Sequence, residues 1–97
     1  MVRKEDLYKW CSVPAKDLEN HPDLVIRFRM VKDSCEMGRM MAKELADEIA
    51  LAGREGREFR AIIPCGPKCW YEPFAEYVNR NRIDMKHVTV FHMDECL

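Results

Sequence analysis

The sequence predicts a parallel α/β fold, and three observations carry that expectation. Apolar residues alternate with arginines in "LVIRFRM"; a 3.6-residue apolar period runs through "DSCEMGRMMAKELADEIALAG"; and two short apolar runs, "FRAIIP" and "KHVTVFHM", bracket a second helical segment. Strand, helix, strand, helix, strand in that order implies a parallel βαβαβ layout with right-handed crossovers.

Residues 1–23, punctuated by Pro14 and "NHPD", read as an N-terminal extension with a short helical pattern from Leu7 to Cys11. From residue 24 the pattern sharpens. Ile26, Phe28 and Met30 alternate with Arg27 and Arg29, which predicts a half-covered strand over 25–30. A helix over 34–52 follows, with Asp33 and Glu36 at capping-box spacing and Met37, Met40, Met41, Leu45 and Ile49 on its apolar face. The methionines are expected to be core packing, and Gly53 sits where a helix commonly ends. After the charged turn "REGRE" come a buried strand over 59–64, a second helix over 71–80 with Phe74, Tyr77 and Val78 inward, and a third strand over 87–93.

At 97 residues the chain is expected to form a single small domain, residues 24–97, behind its extension. Its 16 basic and 17 acidic residues nearly cancel, which gives no electrostatic case for nucleic acid or an anionic membrane as partner. No apolar run approaches the roughly 18 residues of a spanning helix, and the start lacks an apolar signal core, so a cytoplasmic protein is the expectation. Five cysteines, at 11, 35, 65, 69 and 96, are odd in number and irregularly spaced, which favours free thiols.

Two stretches carry chemistry, "PCGPKCW" and "FHMDECL", and both follow predicted strands. In an open parallel sheet ligands bind outside the carboxyl ends of strands, so the two should be neighbours. A loop holding Cys65, Gly66, Pro67 and Lys68 can bring backbone N–H groups, a helix N-terminus and an ammonium to a phosphate; equally, its prolines and glycine can simply turn a corner. It is neither a Walker loop nor G-x-G-x-x-G, and Pro67 withholds one N–H. Asp94, shielded by Phe91 and Met93, is a candidate general base; it can also be a turn or capping residue. Strand alternation is expected to turn Glu95 away from the cleft. A zinc site from Cys65, Cys69, His87, His92 and Cys96 can be drawn on paper, but the spacing lacks a second close pair, so no metal is expected.

At the same two stretches, "IIPCGPKCW" and "KHVTVFHMDE", the chain resembles the glucosamine-6-phosphate deaminase/isomerase family, whose relatives include the 6-phosphogluconolactonases. The resemblance runs from about Leu24 to Leu97. It implies that the loop binds the sugar phosphate and that Asp94, in the position of the family's F-N-M-D-E aspartate, is catalytic, with Glu95 and His92 as site support. The family loop has two adjacent glycines and a threonine where this chain has Gly66, Pro67 and Lys68; His92 stands for the usual asparagine and Cys96 for an aromatic residue. The family's ring-opening histidine and further phosphate ligands fall beyond Leu97, which implies that the chain is the N-terminal part of a Rossmann-like, doubly wound domain and lacks complete activity alone. The implied chemistry is aldose-to-ketose isomerisation with loss of ammonia, without metal or organic cofactor, on a small-molecule sugar phosphate; a homo-oligomer is compatible with it. The alternatives are a sugar-phosphate lactonase, disfavoured because Cys96 is not the basic residue that tends to follow the acid pair there, and a non-catalytic sugar-phosphate-binding remnant.

Overall fold

A computed structural model describes residues 1–95 and contains two compact units, Met1–Met30 and the chain from Val31 onward. The first holds α1 (Lys4–Cys11), whose start carries an Arg3–Asp6 ion pair at 2.8 Å, and a single turn, α2 (Ala15–Leu18), that the sequence pattern did not signal.

The strand expected over 25–30 does not form. Alternation supplies an apolar side, but a strand also needs a neighbour for its backbone groups, and among the described residues the sheet has only two strands, both later in the chain. Val25 and Ile26 are 95% and 69% exposed, and the Met30 N–H donates to Glu19 Oε1 at 3.4 Å.

The second unit begins with α3 (Ser34–Arg54). Asp33 caps it by accepting the Glu36 N–H at 2.9 Å, while the Glu36 carboxylate reaches back to the Lys32 N–H at 2.6 Å. This is the reciprocal capping expected, shifted by one donor. Gly53 is not the terminator. The helix ends through Gly56, at φ +69°, with the Gly56 N–H on Gly53 O and the Arg57 N–H on Ala52 O, a Schellman closure that needs a left-handed residue. Gly53 instead leaves room for the His87 ring, which would lie 3.0 Å from any Cβ there. His87 Nε2–H donates to Ile49 O at 2.7 Å and ties the start of the last strand to α3.

The buried line of α3 is Gly38, Ala42, Ala46, Ile49 and Ala52. Of the expected face only Ile49 lies on it; Met37, Met40, Met41 and Leu45 are half-buried flanks. Close approach explains the shift. A Cβ at Gly38 would stand 2.1 Å from the Cys69 carbonyl oxygen, so the contact line takes small residues and the long side chains are displaced to its rim.

β1 (Phe59–Ile63) and β2 (Val88–His92) pair in parallel, with Phe59 opposite Val88 and Ile63 opposite His92. Between them α4 (Tyr71–Arg80) packs on α3, with Phe74, Tyr77 and Val78 half-buried as the sequence predicts. Trp70, 7% exposed, precedes α4 and meets Tyr71 and Phe74 edge-on, with ring centroids 4.7 and 5.6 Å apart. The architecture is mixed helix and strand around a two-stranded parallel sheet. Among the described residues no helix is long and apolar enough to cross a membrane.

Candidate functional site

Parallel pairing brings the carboxyl ends of β1 and β2 side by side, and the ladder continues one step past them as the Met93 N–H donates to Ile63 O at 2.9 Å. The loop after β1 and the segment after β2 therefore leave the sheet together. The Cys65 N–H donates to Asp94 Oδ1 at 2.8 Å, a contact between residues 29 positions apart. The Tyr71 hydroxyl fastens the loop from the helix side, 3.1 Å from Pro64 O and 3.2 Å from Cys65 O.

These contacts frame an open cleft of about 270 Å³ lined by Ile63, Pro64, Cys65, Lys68, Tyr71, His92, Asp94 and Glu95. Of the residues singled out in the sequence, Cys65, Lys68, His92, Asp94 and Glu95 line it, while Gly66 and Pro67 are exposed in the same loop, joined by a cis peptide bond. A Cβ at Gly66 would meet nothing within 4 Å, so packing does not demand glycine there.

Three expectations about the site change. Glu95 does not turn away, because β2 ends at His92 and the two-residue alternation does not extend to 94 and 95; both acids line the cleft. His92 Nδ1 and Glu95 Oε2 are 3.1 Å apart and pair along this segment. Asp94 is exposed rather than desolvated, and Phe91 and Met93 beside it are themselves 56% and 64% exposed. Finally, with the Cys65 N–H held by Asp94 and none on Pro67, the loop's share of any anion contact falls to the Gly66 and Lys68 amides and the Lys68 ammonium. Lys68 has no carboxylate partner among the described residues.

Cys11, Cys35 and Cys69 are thiols outside any disulfide. Among the described residues no group of three or more His, Cys, Asp or Glu side chains is placed to hold a metal ion. His87 is committed to the Ile49 carbonyl, and Cys96 lies outside the described residues.

Sequence reasoning missed Tyr71 and Gly38. Tyr71 was legible only as the first residue of a helix, since its hydroxyl acts on carbonyls just upstream. Gly38 read as an ordinary helix position, and only the approach of Cys69 gives it a role. No family model matches the chain, and neither a curated protein nor a solved structure matches it.

Proposed function

We propose that this chain carries part of an amino-sugar phosphate isomerase/deaminase site of the glucosamine-6-phosphate deaminase type, acting in carbohydrate metabolism in the cytoplasm, within a larger doubly wound domain. The observation that carries the reading is the Cys65–Asp94 hydrogen bond, which fixes a candidate base against a candidate anion loop at the ends of two parallel strands.

The cleft suits a ligand with both signs of charge. Lys68 offers a cation on the loop, and Asp94 a carboxylate at the strand end. A sugar with a phosphate at one end and an amine near the other matches that polarity, whereas a lactone phosphate has no cationic group to pair with the carboxylate.

In the proposed mechanism Lys68 and the Gly66 amide hold the phosphate, and the opened sugar lays C2 beside Asp94. Oδ1 stays on the Cys65 N–H, which orients the carboxylate and leaves Oδ2 for proton transfer. Oδ2 takes the C2 proton while the C1 carbonyl oxygen takes a proton from water, giving an enolamine. Returning that proton to C1 yields the ketose-level imine, and water adds at C2 to release ammonia. No step requires a metal or an organic cofactor.

Titration of the chain with glucosamine 6-phosphate, followed by amide resonances, tests the reading. Shifts at Gly66, Lys68 and Asp94 that exceed those caused by unphosphorylated glucosamine support it. Unmoved resonances at all three, in folded protein, return the loop to a plain turn.

A further inference from the structure

With His92 neutral, the charged side chains lining the cleft among the described residues are one cation, Lys68, and two carboxylates, Asp94 and Glu95. A doubly charged anion entering there meets more repulsion than attraction. The arrangement of His92 supplies the missing charge. Its Nδ1 lies 3.1 Å from Glu95 Oε2, so a proton on the ring turns this contact into an ion pair, offsets the Glu95 charge and leaves Nε2–H as a further donor.

We propose that protonated His92 is the second cation of the anion subsite, so that dianion binding is coupled to protonation of this ring; this rests on the anion-binding part of the function proposed above. The titratable groups that line the cleft with His92 are Cys65 and Lys68 from the loop, Tyr71 from α4, and Asp94 and Glu95 from its own segment. Imidazole is the side chain that changes charge between about pH 5 and 8.

Sulfate is the suitable probe, because it stays a dianion across this range while phosphate itself titrates. Its affinity for the parent chain should fall several-fold from about pH 5.5 to about pH 7.5, the range over which imidazoles lose their charge. The His92 side chain is 69% exposed, so substitutions there leave the fold intact. His92→Asn should bind sulfate weakly with no pH slope, and His92→Lys should bind it tightly with no slope. A pH-flat parent affinity overturns the proposal, as does a parent-like slope in His92→Asn. Absence of sulfate binding at every pH sinks the anion-binding reading itself, and this assignment with it.

Discussion

The backbone amide of Cys65 and the carboxylate of Asp94 are joined at 2.8 Å, so the loop after one strand is held by the acid after its parallel neighbour. Asp94→Asn keeps an acceptor oxygen at Oδ1, whereas Asp94→Ala removes it. The alanine variant should lose about 1 kcal/mol of local stability, on the scale of one hydrogen bond, and the Cys65 amide should exchange with solvent several-fold faster. The asparagine variant should keep most of that protection. Equal exchange at Cys65 in parent and alanine variant would show that the contact does not hold the loop.

Gly38 is set by the Cys69 carbonyl, which a Cβ at 38 would approach to 2.1 Å. Alanine gains about 1 kcal/mol of helix propensity at this position, but overpacking against a backbone oxygen costs about 1–3 kcal/mol, and the carbonyl cannot swing aside as a side chain can. Gly38→Ala should therefore lower the urea midpoint despite being the better helix former. A rise in the midpoint would contradict the close approach of the loop to α3.

The Lys43–Asp47–Tyr77 network across α3 and α4 predicts a pH dependence. Asp47 is held below the usual carboxylate value, first by the Lys43 hydrogen bond and then by that of Tyr77; Lys43 is held above the usual ammonium value, first by its hydrogen bond to Asp47. A lowered acid stabilises the fold above its unfolded value and loses that contribution as pH falls through its folded one. A raised base stabilises it below its unfolded value and loses that as pH rises through its folded one. The contribution is therefore complete between the two ranges and declines on both sides, and it is small because the pair is water-exposed. Urea midpoints across the acid range should show Tyr77→Phe losing stability at a higher pH than the parent. Superimposable acid limbs would show that the hydroxyl does not hold Asp47.

Much of the second unit was legible because its signals are local. Asp33 and Glu36 mark a start by direct hydrogen bonds, and the runs "FRAIIP" and "KHVTVFHM" become strands within a residue of the expected bounds. What failed depends on neighbours the pattern does not contain. "LVIRFRM" alternates correctly but pairs with no strand among the described residues, and the methionine face of α3 yields to an alanine line because of how closely Cys69 and α4 approach. At the site, the sequence was enough to expect the loop and the acid as neighbours. The positions of Glu95 and Tyr71 were not legible, since one depends on where β2 stops and the other on a hydroxyl reaching back to the loop.

Asp94 is proposed to transfer the carbon-bound proton of an amino-sugar phosphate. Hydrogen exchange at C2 of glucosamine 6-phosphate in deuterated water tests it directly, because exchange needs only the small fraction of sugar that opens spontaneously and a positioned base. The parent chain should accelerate exchange over protein-free solution, and Asp94→Asn, which keeps the shape and the Cys65 contact, should lower that acceleration by about 10²-fold. Exchange at the parent rate in Asp94→Asn, or no acceleration by the folded parent, would contradict the assignment.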